Sequence, residues 1–232
     1  MIKSCNLLVI QDKLIRHVAR TSTFNCPKNF TYTLEQIQTL HMLVRNSHFD
    51  FSRAGGLDLA IELGDVNLVT FYVKRNLSPA CIHGAIHIAA ECGQTETLSI
   101  LLSATKDPLE SVILKKACKA GHTEVVKLLL KDGRIEPKSK HMEAACLNGN
   151  YAAAAHLVHA GTKLEDLHQL FREVCSKGFL PVAKLLLRCY RTDPTDSDNS
   201  ALYRACHGGH YELAVHLLSL PDVSAAVQKE FE

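Results

Sequence analysis

Nine cysteines and thirteen histidines among 232 residues are the side chains from which this chain could build chemistry. Thiolate and imidazole ligate zinc and pair in thiol catalysis. The densest grouping is Cys81, His83, His87 and Glu91, in which successive members from His83 on stand four apart, on one face of a helix. His156/His159 and His207/His210 each stand three apart. Against a metal centre, no Cys-x-x-Cys pair exists anywhere in the chain. A glycine-rich phosphate loop, His-Glu-x-x-His and Gly-x-Ser-x-Gly are also absent. Catalysis would need Cys and His to meet by accident of folding. The expectation is a chain that is not an enzyme and holds no metal and no cofactor.

Composition narrows the remaining classes. Lys and Arg number 26 against 24 Asp and Glu, a net charge of +2, so a general electrostatic grip on nucleic acid or anionic lipid is not expected. With no Trp and 6% aromatics, stacking platforms for single strands are not expected either. Lys115, Lys116 and Lys119 make one small basic patch, read as a solvated face. No apolar run approaches the length of a membrane span, and Leu7–Ile10 is too short for a secretory signal core. An odd number of cysteines without a framework points to a reducing compartment, cytoplasmic or nuclear.

The elements that must position these residues are set by a repeat. Gly64, Gly93, Gly121, Gly149, Gly178 and Gly209 are separated by 29, 28, 28, 29 and 31 residues. Four before each stand Ala60, Ala89, Ala117, Ala145, Val174 and Ala205; seven before stand Leu57, Ile86, Leu114, Met142, Phe171 and Leu202. Eight after stand Tyr72, Leu101, Leu129, Leu157, Leu186 and Leu217, each followed by another aliphatic residue. The spacing predicts a short helix with one large and one small apolar residue on its inner face. A glycine in the left-handed position ends it, and a second helix closes on the paired aliphatics. Asp65 and Asn150, just after their glycines, are read as N-caps of the second helix. Cys118, Cys146, Cys175 and Cys206 all fall three before the glycine and are read as buried small hydrophobes. Equivalent positions of stacked units lie about 10 Å apart, too far for one zinc ion.

Gly121-His122-Thr123-Glu124-Val125-Val126-Lys127-Leu128-Leu129-Leu130 and Ile86-His87-Ile88-Ala89-Ala90-Glu91-Cys92-Gly93 resemble the second and first helices of ankyrin repeats. The resemblance covers residues 55–219. It implies an all-α, ankyrin-type solenoid of helical hairpins. The Thr-Pro-Leu-His opening survives only as Ala85-Ile86-His87, and the period is about four residues short of the family's 33, so fingers should be short or degenerate. His87 falls where the family itself favours histidine. The implied organisation is an N-terminal capping helix and degenerate repeat over 1–54, six repeats over 55–219, and a C-terminal capping helix over 220–232. Within 1–54 the cap is placed at Asn6–Arg20 and the worn repeat's second helix at Thr33–Val44.

The family likeness implies a scaffold or adaptor that binds another protein through its concave helical face, as a monomer. The residues just before each glycine carry the variable contacts in the family. Carried over, they put Glu62, Glu91, Lys119, Leu147, Lys177 and His207 at the partner, with Leu147 beside Lys119 as its apolar centre. Arg134 and Arg191, in the linkers, are candidate clamps for a partner carboxylate. An alternative is a host-directed effector or viral factor, working in the host cytosol and recruiting a target to another machinery. That role needs a second motif such as an F-box-like helix pair, and residues 1–55 and 220–232 carry no convincing match. A metal- or thiol-dependent enzyme is the remote third.

Overall fold

The computed structural model describes residues 56–74 and 77–230. Among them every regular element is an α-helix. The chain divides into two compact units, Met1–Asp107 and Pro108–Glu232. The expected cap and worn repeat in residues 1–54 lie outside the described residues.

In the first unit, α1 (Gly56–Glu62) and α2 (Val66–Val73) form one hairpin, α3 (Pro79–Cys92) and α4 (Thr95–Ala104) the next. First helix packs on first helix and second on second, α1 against α3 and α2 against α4. In the second unit the hairpins are α5 (Ser111–Ala120) with α6 (Thr123–Asp132), α7 (Ser139–Cys146) with α8 (Tyr151–His159), α9 (Leu167–Ser176) with α10 (Leu180–Tyr190), and α11 (Asp196–His207) with α12 (Tyr211–Leu218). The first helices stack in the order α5, α7, α9, α11, and α13 (Pro221–Glu230) lies against α11 and α12. The linkers between hairpins contain no strand among the described residues, which is the short-finger expectation in structural form.

The periodic columns explain this stacking. The small residues four before each glycine are fully buried in all six hairpins, as are the residues eight after it, apart from 1% exposure at Tyr72. A small side chain lets the next helix approach, and the large one fills the space between layers. The second residue of each aliphatic pair behaves differently. Only Leu102 is buried; Val73, Leu130, Val158 and Leu187 are half-buried and Leu218 is 42% exposed. One departure from helical regularity is local: α11 opens with Ser197, Asp198 and Asn199 in left-handed conformation (φ 54°, 56° and 62°) and runs regularly from Ser200.

One buried polar atom breaks the apolar logic of the first unit. Thr97, on α4, is 1% exposed and its hydroxyl finds no hydrogen-bond partner among the described residues. Valine has the same shape without the stranded hydroxyl. Thr97→Val is therefore expected to raise the unfolding free energy by about 1 kcal/mol in urea titration. A fall in stability would show that the hydroxyl is engaged.

Candidate functional site

The turn between the two helices of a hairpin is built the same way each time. The residue after the glycine donates its N–H to the carbonyl of the small-column residue: Asp65 to Ala60, Gln94 to Ala89, His122 to Ala117, Asn150 to Ala145, Phe179 to Val174 and His210 to Ala205, at 2.9–3.3 Å. This is the closing bond of a Schellman turn, with the glycine left-handed at C′. The same residue's carbonyl then accepts the first bond of the second helix, as from Val126 to His122 and from Ala154 to Asn150.

The side chain at that position has a third role. Asn150 Nδ2 donates to the carbonyls of Cys118 (2.8 Å) and Lys119 (2.9 Å) on the preceding hairpin. His210 Nε2 meets the Ser176 carbonyl at 3.0 Å in the same way. A helix ends with carbonyls that have no partner inside it, and these side chains satisfy them from the next layer. The N-cap expectation is thus half corrected. Asp65 does cap α2, accepting from Leu68 N at 3.0 Å, whereas Asn150 makes no cap bond and reaches backwards instead. Periodicity exposed the position, but only stacking shows which way the amide turns.

The predicted contact residues fall on this frame. Glu62 and Glu91 are exposed at the ends of α1 and α3 in the first unit. Lys119, Lys177 and His207 are exposed, and Leu147 half-buried, at the ends of α5, α9, α11 and α7 in the second. Lys177 Nζ donates to the Leu147 carbonyl at 2.8 Å, tying two of them together. Arg134 has its fork on Asp132, the last residue of α6, Nε to Oδ1 at 2.6 Å and Nη2 to Oδ2 at 2.9 Å, which holds the Asp132 carboxyl below its usual range. Arg191 is exposed, in the left-handed C-cap of α10 (φ 50°), and borders a polar groove shared with Asp193, Asp198, Asp222 and Lys229.

The chemical candidates resolve differently from one another. Among the described residues, no three or more His, Cys, Asp or Glu side chains are arranged to hold a metal. His83 Nδ1 turns to its own helix at Pro79 O, 3.0 Å, and Cys81 accepts from the Ser78 hydroxyl at 3.1 Å. Cys118, Cys146 and Cys175 are buried, and desolvation pushes each thiol up to about 12, which leaves them protonated and inert. Cys206 corrects the column reading: it is exposed. Cys118, Cys146 and Cys175 lie on helices that pack against the first helix of the following hairpin, whereas α11 packs on α12 and α13. Tyr203, at 52% exposure, shows the same open side. His156 and His216, equivalent positions on α8 and α12, are both half-buried.

One histidine gave little sign of its role in the sequence. His141 stands eight before Gly149, in a column otherwise filled by Gly56, Ala85, Ile113, Leu170 and Ala201, and it is fully buried. Its Nδ1 accepts from Lys138 N at 2.8 Å and its Nε2 meets the Ser111 carbonyl at 3.0 Å, joining α7 to the start of α5. The neutral ring with its proton on Nε2 satisfies both contacts. Burial holds its pKa below the usual 6.5; the Ser111 carbonyl draws it up, and Lys140, Lys115 and Lys138 push it down again. A polar residue in an apolar column was the available signal.

The same hairpins and turns recur in known proteins. Residues 57–141 match the family model for ankyrin repeats in three copies. No curated protein matches the chain. Among solved structures, it is similar to the human ASB11 ankyrin repeat domain, at 24% identity and a TM-score of 0.50, over 62% of this chain and 69% of that one. It is similar also to the ankyrin repeat domain of Bcl-3, described as a unique member of the IkappaB protein family, at 19% identity and a TM-score of 0.55, over 79% of this chain and 90% of that one. Residues 57–141 thus match ankyrin repeats, and the fold of the chain is that of ankyrin repeat domains. Such repeats are protein–protein interaction modules.

Proposed function

We propose that the chain is a non-catalytic adaptor that recognises another protein along the residues ending its first helices. In the second unit that strip runs Lys119, Leu147, Lys177 and His207; Glu62 and Glu91 offer the same positions in the first unit. The observation that carries this reading is the turn frame. Three strip residues of the second unit project from helix ends whose carbonyls are held from the next layer: Asn150 bonds at Lys119, Lys177 at Leu147, and His210 at Ser176 beside Lys177. Side chains displayed on a fixed backbone bind with little ordering cost. Arg134, engaged by Asp132, adds nothing to the strip.

The Lys119→Glu plus Leu147→Asp variant tests the reading. Both side chains are outside the core, so the helical circular dichroism spectrum should be unchanged while affinity capture loses the wild-type partners. A charge introduced at an apolar centre of contact costs about 2 kcal/mol or more, roughly thirtyfold in affinity. Undiminished recovery of the same partners would assign recognition to another surface.

A further inference from the structure

The basic patch seen in the sequence on α5 is larger in space than in the chain. Lys115 and Lys119 are exposed one turn apart on α5, and Lys138 and Lys140 are exposed at the start of α7. The His141 bond to Ser111 fixes the two segments side by side, and Lys115, Lys138 and Lys140 lie close enough to His141 to act on its ionisation. None of these four lysines forms an ion pair among the described residues. The nearby Glu143 carboxylate accepts from the Ser139 hydroxyl at 2.7 Å and keeps its charge, while Asp132 is paired with Arg134. Residues 111–141 carry eight Lys and Arg against three Asp and Glu, net +5; since the whole chain is +2, everything else sums to −3. Basic charge is concentrated here, and Lys115, Lys119, Lys138 and Lys140 carry it without an ion pair among the described residues.

We propose that this surface docks an acidic segment of the protein partner, one that carries apolar residues among its carboxylates. The proposal rests on the protein-binding reading and names the chemistry of the partner. Two exposed or half-exposed apolar side chains frame the lysines, Val112 at 45% exposure on α5 and Leu147 at the end of α7. Neighbouring helices lie about 8–10 Å apart, and an extended segment rises about 3.3 Å per residue, so carboxylates three residues apart span from one helix to the next. A nucleic acid fits less well. The available cations are lysines, point charges without the planar fork that grips phosphate, and an apolar frame offers a sugar-phosphate backbone nothing. The net negative remainder of the chain also opposes a long polyanion, whereas a short peptide need cover only the patch.

Fluorescence anisotropy with the full chain tests this, using a fluorescein-labelled peptide of four Glu-Glu-Leu repeats, its Lys-Lys-Leu counterpart and a 12-nucleotide single-stranded DNA. The acidic peptide is expected to bind, more tightly than the DNA, and the basic peptide to show no binding. Its affinity should fall as salt rises and by at least about tenfold in the Lys115→Glu, Lys138→Glu, Lys140→Glu variant. Should three reversals disturb folding, the corresponding three Lys→Gln changes must lower affinity in the same direction. Unaltered affinity in a folded variant, or no binding of the acidic peptide, overturns the proposal. Tighter binding of the DNA through the same lysines also overturns it, in favour of a polyanion site. The three lysines reversed here, Lys115, Lys138 and Lys140, are not changed in the strip variant, which shares only Lys119 and Leu147 with the patch. Failure here with partner loss intact in Lys119→Glu plus Leu147→Asp removes only the acidic dock, and the reverse pattern removes only the strip.

Discussion

Replacing Gly178 by alanine is expected to lower the unfolding free energy by about 3 kcal/mol, whereas Gly209→Ala costs only about 1–2 kcal/mol. The two glycines have nearly the same backbone, φ 75° and 73°, so the left-handed penalty for a Cβ is shared. Their surroundings differ. A Cβ on Gly209 meets nothing within 4 Å, while one on Gly178 lies 2.3 Å from Nδ1 of His210. The imidazole must leave its place, and the Ser176 carbonyl loses its 3.0 Å contact. Urea titrations of both variants measure the difference. In a His210→Ala background the extra cost of Gly178→Ala should vanish, leaving only the backbone term. Equal costs for the two glycines in the wild-type background would show that close approach between hairpins contributes nothing.

The second large effect is pH-dependent stability through His141. Its folded-state pKa lies below 6.5, chiefly because the ring is buried. Above pH 6.5 the ring is neutral both folded and unfolded, and its contribution to stability is complete. As pH falls below 6.5 the unfolded chain takes up a proton that the folded chain refuses, so stability is lost, at most about 1.4 kcal/mol per pH unit until the folded pKa is reached. Protonation in the fold would also turn Nδ1 into a donor facing the Lys138 N–H. His141→Leu, which copies the residue at the equivalent position Leu170, removes the titration but leaves the Ser111 carbonyl and Lys138 N–H unmet. It should cost about 2 kcal/mol at pH 7.5. At pH 5.5 its disadvantage should be smaller, because only the wild type has weakened. Thermal melts of both proteins at the two values decide it; parallel pH profiles would mean that His141 binds its proton equally in both states.

Both results concern features that the chain announces unequally. The repeat was legible because burial is periodic. A helix can present one stripe inwards, so the alanine column, the large residues three before it and the left-handed glycine recur at fixed intervals wherever hairpins stack. The cysteines lost their chemical promise by the same logic, since three of them fill a buried column of apolar side chains. Their fourth equivalent, Cys206, did not follow, because burial in a stack depends on the neighbouring layer, and that layer is not a property of the residue's own hairpin.

The sequence by itself determined the helical hairpin, its frame and the ankyrin likeness, because these depend on spacings within about 30 residues of chain. The tertiary structure alone decided what the side chains after the glycines do. Asn150 looks like a cap from its neighbours in sequence, yet the carbonyls it satisfies belong to Cys118 and Lys119, about 30 residues away. It likewise decided that Arg134 is spent on Asp132, and that Lys138 and Lys140 join Lys115 and Lys119 in one patch. Hydrogen bonds and charge act over a few ångströms whatever the separation along the chain, and only folding sets which groups come within that reach.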